Sequence, residues 1–307
     1  MAQTSSHVSW VKNLLASMTA YSGVGYVAMA YTISRWLTRA TPSQPQKPDW
    51  AGQLDWQEQE CRTADGVRLA GWVVSPPNPL GTVALFHGLR GDREQALSRL
   101  ALLTAAGYRC VAFDHRGHGA SDGRLTSFGY YEGRDVQAVR TLIDNRWPGQ
   151  PTVALGLSMG AAATCFAAAQ GARFDAFILE SLYPRLANAF SNRVGCGYPA
   201  WFGQFRAGVI WITELRLGVK LEQVAPVDIM PQLALAPVLI LTGGDDPHAP
   251  PDEVAELHHQ CPSTSEFHVI PGADHSNVCE VGGPHYEALV VDFLRRHLAV
   301  PQIRMAA

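Results

Sequence analysis

The chain is short of charge. Asp, Glu, Lys and Arg make up 17% of its 307 residues and nearly cancel, leaving a formal net charge of −3; an ordinary soluble domain carries about 25%. Without a basic excess there is no electrostatic footprint for nucleic acid, and none is expected as a partner. Cysteine is sparse as well. The six, at positions 61, 110, 165, 196, 261 and 279, include no C-x-x-C pair and no four-ligand cluster, so neither a disulfide scaffold nor a structural zinc site is expected. Free thiols in a reducing compartment follow. Cys110 and Cys165 fall inside apolar runs, where a thiol acts as a small hydrophobe. Internal repeats and low-complexity tracts are also lacking. Apolar residues make up 47%, enough for a chain this long to bury a substantial core, which excludes a disordered or fibrous protein.

One uncharged stretch stands apart, from Asn13 to Ser34. It is long enough for a bilayer crossing of ~20 residues, although Ser, Thr, Tyr and Gly dilute it. Three readings compete: a membrane anchor or interfacial helix, a signal peptide cleaved after Ala28-Met29-Ala30, and a helix packed on the domain. The anchor ranks first. Arg35, Arg39 and Lys47 after the segment, against Lys12 before it, orient the rest towards the cytoplasm. Soluble cytoplasmic and exported locations stay open. Thr41 to Pro48 reads as a proline-rich linker. The expected organisation is an N-terminal segment and linker (1–48), one domain (49–300) and a short tail (301–307).

Beyond the linker, strand and helix patterns alternate. A hairpin spans Leu54 to Pro76 around the turn signal Asp65-Gly66. Apolar runs follow at Thr82–Phe86, Arg109–Phe113, Thr152–Leu157, Ala176–Leu179, Val238–Leu241 and Phe267–Ile270. Several lack alternation, as strands covered on both faces do. Helical patterns fall between them at 93–106, 130–146, 159–170, 251–259 and 285–297. This order predicts an α/β fold with a mostly parallel sheet flanked by helices. Residues 183–232 break the alternation. They carry Tyr183, Phe190, Tyr198, Trp201, Phe202, Phe205 and Trp211, and Phe202, Phe205, Val209 and Ile212 share one helical face. A structureless loop of that length is unusual, so a small helical lid is expected.

The sharpest chemical signal is Gly156-Leu157-Ser158-Met159-Gly160. It matches G-x-S-x-G, follows a buried-strand pattern and precedes an alanine-rich helix, the context the motif requires. A serine on so tight a strand-to-helix turn projects its hydroxyl over a helix N-terminus. The Met159 amide then points where a developing oxyanion would sit.

Further motifs, in chain order, resemble those of the α/β-hydrolase superfamily: Phe86-His87-Gly88-Leu89, the loop Asp114-His115-Arg116-Gly117-His118-Gly119-Ala120-Ser121-Asp122, Gly243-Gly244-Asp245-Asp246-Pro247-His248-Ala249-Pro250, and Gly272-Ala273-Asp274-His275-Ser276. The resemblance covers roughly residues 54–298. It implies that Leu89 supplies the second oxyanion amide, that His275 is the base for Ser158, and that Asp246 orients the base, in the chain order Ser, Asp, His. The spacing to Gly243 and Pro250 favours Asp246 over Asp245, which is expected to cap a turn. His87 is expected to shape the oxyanion turn. His115 and His118 form an H-x-x-H with no acidic ligand to complete it. Arg116 is expected to order loops, and Glu132 and Asp135 to suit the start of a helix.

A serine nucleophile excludes the carboxylate-nucleophile branches that the chain also resembles. The expected activity is hydrolysis of a carboxylic ester, including thioesters and lipid-derived esters, without cofactor or metal. The motif set is most similar to monoacylglycerol lipases, lysophospholipases and Bem46-like members. An acyltransferase with the same triad, and a non-catalytic binding protein on this fold, are the alternatives.

Overall fold

The structure, a computed structural model, describes residues 22–196, 200–233, 236–261 and 264–298. Eight strands form one sheet: β1 (Asp55–Arg62), β2 (Arg68–Ser75), β3 (Thr82–Phe86), β4 (Arg109–Phe113), β5 (Thr152–Leu157), β6 (Ala176–Glu180), β7 (Val238–Gly243) and β8 (Glu266–Ile270). Their order is β1-β2-β4-β3-β5-β6-β7-β8. Only β2 runs against its neighbours, pairing antiparallel with β1 and β4; the remaining pairs are parallel. This is the α/β-hydrolase fold predicted above. The hairpin forms as expected, with Arg62 opposite Arg68 and Gly66 in the left-handed region at φ 86°.

Strand periodicity sends alternate residues to opposite faces. Ala84 and Phe86 of β3, with Val111 and Phe113 of β4, enter a core shared with the helices α3 (Glu132–Arg146), α4 (Met159–Ala169) and α7 (Pro251–Gln260). Val83 and Leu85, with Cys110 and Ala112, enter a second core against α2 (Leu97–Ala105) and α8 (Val278–His297). Burial on both sides is why β3 to β7 read as unbroken apolar runs. The helix starts shift for local reasons. Asp92 accepts a hydrogen bond from the Glu94 amide and opens a 3-10 turn before α2. The last helix begins earlier than expected, at Val278, and breaks at Gly283 (φ 47°); Pro284 opens its second part, a position proline favours.

Between β6 and β7 the expected insertion contains α5 (Leu186–Cys196), a 3-10 turn (Ala200–Phe205) and α6 (Arg206–Leu217). Val209 and Ile212 are buried there, Phe205 is half-buried, and Trp201 and Trp211 are exposed. Tyr198 and the Phe202 side chain lie outside the described residues, as does the 301–307 tail.

The N-terminal segment departs from the anchor reading. No helix among the described residues is long and apolar enough to cross a membrane. Residues 13–21 of the stretch lie outside the described residues. Residues 22–37 form a helix, α1, that packs on α6. Ala30, Ile33 and Leu37 are buried, Tyr26 stacks on Phe205 at 5.2 Å, and Ser34 Oγ accepts a hydrogen bond from Thr213 Oγ1. Burying side chains the size of Ile33 and Leu37 contributes about 1.5–3 kcal/mol each. These contacts favour the packed helix, the third of the three readings.

The proline-rich stretch after α1 is tied down. Thr41 and Pro42 run parallel to His118 and Gly119. The Thr41 amide donates to Gly117 O and the Ser43 amide to Gly119 O. Donors two residues apart suffice for this short ladder, so the N–H that Pro42 lacks is not needed.

Candidate active site

The elbow at Ser158 follows from its glycines. Ser158 has φ 51°, a left-handed conformation costly for a non-glycine residue. A Cβ on Gly156 would lie 2.5 Å from Ala161 N, and one on Gly160 would lie 2.2 Å from Phe86 O. Only glycine lets α4 start so close to the end of β3. The Ser158 amide donates to Glu180 O at 2.8 Å, fixing the turn to β6. The Glu180 carboxylate is itself buried, accepting from Arg99 at 2.6 and 2.8 Å and from the Tyr286 hydroxyl.

Two loops from later strands bring partners to this hydroxyl. Asp246 follows β7 and His275 follows β8. His275 Nε2 stands 2.8 Å from Ser158 Oγ, and His275 Nδ1 stands 3.0 and 2.9 Å from the two oxygens of Asp246. A carboxylate only accepts, so Nδ1 carries the proton and Nε2 accepts from the serine hydroxyl. Asp246 is 3% exposed and also accepts from the amides of His248 and Ala249. Burial alone raises its pKa. The hydrogen bond and charge of His275 with those two amides outweigh burial and hold the carboxyl below its ordinary value. Asp245, its neighbour in sequence, is exposed.

The turn after β3 lies against the elbow. A Cβ on Gly88 would sit 3.7 Å from Ser158 Cβ. His87 is buried and shapes the turn. Its Nδ1 donates to Gly88 O at 2.7 Å, and its Nε2 accepts from the His115 amide at 2.9 Å. Gln95 Oε1 accepts from the Gly88 amide. Leu89 comes next and is half-buried, while Met159 opens α4 and is 1% exposed.

The rival groups have other partners. Arg116 pairs with Asp65 and Asp135. Glu132, fully buried, accepts from the Ser127 and Gly129 amides and from the Ser127 and Thr126 hydroxyls. It therefore ties a loop to the start of α3, beyond the helix-end electrostatics expected. Ser121 donates to Asp114 O. No group of three or more metal-ligating side chains occurs among the described residues. One group behind His275 escapes the sequence reading, Asn192, which reaches it only through His248. The His248 ring meets His275 edge-on at 5.2 Å, and Asn192 of α5 donates to His248 O and to Glu253. His248 lies in the motif that carries Asp246, whereas Asn192 comes from a separate segment that no local pattern marks.

Comparison with known proteins agrees with this architecture. The esterase Pf2001 of Pyrococcus furiosus superposes with a TM-score of 0.71 over 85% of this chain and 99% of its own, at 21% identity. The family profile described as serine aminopeptidase, S33, matches residues 77–196. The chain shares the α/β-hydrolase fold with the Pf2001 esterase. Among sequence relatives, the uncharacterized protein YqkD of Bacillus subtilis (strain 168) is 25% identical over 239 residues, covering 76% of this chain and 77% of its own. Phospholipase ABHD3 of Mus musculus is 30% identical over 141 residues, 41% of this chain and 33% of its own.

Proposed function

We propose that the protein is a serine hydrolase of carboxylic esters, with Ser158 as nucleophile, His275 as general base and acid, and Asp246 as orienting carboxylate. The observation that carries this reading is the unbroken hydrogen-bonded line from Ser158 Oγ through both ring nitrogens of His275 to Asp246. A serine hydroxyl is a poor nucleophile until a base stands within reach and is itself oriented. Ser158 Oγ attacks the ester carbonyl carbon and its proton passes to His275 Nε2. The oxyanion that forms faces the amides of Leu89 and Met159, the latter at the positive end of α4. Collapse breaks the ester bond, and the departing alcohol takes the proton from His275. Water then attacks the acyl-enzyme and gives its proton to the same nitrogen. The carboxylic acid leaves and Ser158 regains its hydrogen. Throughout, Asp246 fixes the tautomer and balances the charge of the imidazolium.

The substrate reading rests on the insertion. A cavity of about 490 Å³ lies among α1, α5 and α6, with Ile33, Leu37, Phe190, Val209, Ile210 and Leu221 in its wall. Arg206, Glu214 and Glu222 also line it and no residue of the Ser158 site does, so it supports an apolar group only as a part of the substrate that reaches into the insertion. Val24, Val27, Trp211 and Leu215, exposed along α1 and α6, support a lipid-derived ester in particular.

The test is hydrolysis of p-nitrophenyl esters of graded chain length by wild type and Ser158→Ala, with fluorophosphonate labelling read by peptide mass spectrometry. Ser158-dependent turnover and label on Ser158 are expected. Equal turnover by both proteins, or label on another serine, would overturn the mechanism. Added alcohol appearing in the product as a new ester would point to acyl transfer instead.

A further inference from the structure

We propose that the stretch from Trp36 to Ser43 braces both sides of the oxyanion site, and that Trp36 and Arg90 are positioning residues for the reaction. This rests on the reading of Ser158, Leu89 and Met159 given above.

On one side, Arg90 directly follows Leu89, whose amide faces the oxyanion. Arg90 has φ 65°, a conformation that a non-glycine residue keeps only when its surroundings hold it. Its guanidinium lies over the Trp36 ring, with Cζ 4.1 Å from the centroid, and its Nη2 donates to Trp36 O at 3.4 Å. The end of α1 thus clamps the residue next to the donor amide by a cation–π contact and a hydrogen bond.

The other side is held by the same stretch. The Thr126 amide donates to Thr38 O at 3.1 Å, and Thr126 Oγ1 lies 3.2 Å from Met159 Sδ. The second donor residue therefore rests on a loop pinned two residues after Trp36. The ladder of Thr41 and Ser43 with Gly117 and Gly119 anchors the brace to the loop after β4. Arg216 of α6 donates to Ser34 Oγ at 3.0 Å and to Thr38 Oγ1 at 2.7 Å, which joins the brace to the insertion.

The kinetic consequence follows from geometry. Removing one oxyanion donor costs about 10²–10³ in kcat. Letting a donor drift without removing it costs part of that and leaves ground-state binding nearly untouched. The experiment measures kcat, KM and the Ki of a phenylboronic acid, whose serine adduct is a tetrahedral anion, for wild type, Trp36→Ala, Trp36→Phe and Arg90→Gln. Trp36→Ala and Arg90→Gln are expected to lower kcat about tenfold, hold KM within about twofold, and weaken the boronate by the same factor as kcat. Trp36→Phe keeps an aromatic face for Arg90 and should stay within about twofold of wild type. Wild-type kcat in both folded variants would overturn the proposal, as would a kcat loss without boronate weakening. If Trp36→Ala does not fold, Arg90→Gln at its half-buried position decides alone. Failure of the ester reading would show differently: the wild type itself would lack Ser158-dependent turnover, and the brace would fall with it.

Discussion

One methyl group tests the elbow. In Gly160→Ala the new Cβ would stand 2.2 Å from Phe86 O, 2.6 Å from Phe86 C and 2.7 Å from His87 O. All three are backbone atoms. Reaching even 3.0 Å from Phe86 O requires a shift of about 0.8 Å. Strand β3 is paired along its length with β4 on one side and β5 on the other, so it yields little. The elbow moves instead, carrying Ser158 away from His275. Overpacking of this kind costs about 1–3 kcal/mol. At about 2–4 °C per kcal/mol, Tm should fall by about 5 °C. A displacement approaching 1 Å at the reacting group costs ~10²-fold in rate. The assay is kcat on a p-nitrophenyl ester at saturation, with Tm from thermal unfolding. Gly52→Ala is the control, because a Cβ there meets nothing within 4 Å and the residue is exposed. Gly160→Ala with the kcat and Tm of wild type would refute the argument that this glycine sets the position of the hydroxyl.

Other outcomes follow from the same structure. Asp246→Asn should lower kcat by ~10⁴ while Tm stays near wild type, because an amide no longer selects the productive tautomer of His275; steady-state kinetics and thermal unfolding check it. Burial, and the charges of neighbouring histidines or arginine, hold His87, His118 and His248 below the ordinary value of 6.5. The unfolded chain therefore binds more protons as pH drops past that value. Stability should be fully present above it and decline below, so the urea midpoint should be lower at pH 5.5 than at pH 7.5. Equal midpoints would contradict this. Burial likewise pushes the Cys110 and Cys165 thiols well up. Alkylation of native protein should spare both while urea exposes them, as peptide mass spectrometry would show.

How much of this was legible beforehand depended on where each signal resides. The bounds of β3, β4 and β5 match the expected ones residue for residue, because strands covered on both faces are continuous apolar runs with sharp polar ends. The start of α8 was missed, since the turn before Gly283 carries no helical period. The nucleophile elbow is written in five adjacent residues. Asp246 and His275 needed the order of motifs along the chain, for nothing local to either states its distance from Ser158. The anchor reading, which the described residues do not support, has a physical origin. A helix that buries Ala30, Ile33 and Leu37 on α6 while leaving Val24 and Val27 exposed carries apolar residues on both its docked and its open side, and composition alone then suggests a membrane span. The linker reading took proline as a sign of detachment, whereas only the amides of Thr41 and Ser43 were required for docking.

The hydroxyl of Ser158 and the imidazole it meets are 117 positions apart in the chain. During synthesis the elbow emerges well before the histidine it meets. Chains growing from the N-terminus fold their early portions first. A growing chain that has Ser158 without His275 thus carries an ordinary alcohol, and on the proposed mechanism its chemistry begins only when β8 joins the edge of the sheet.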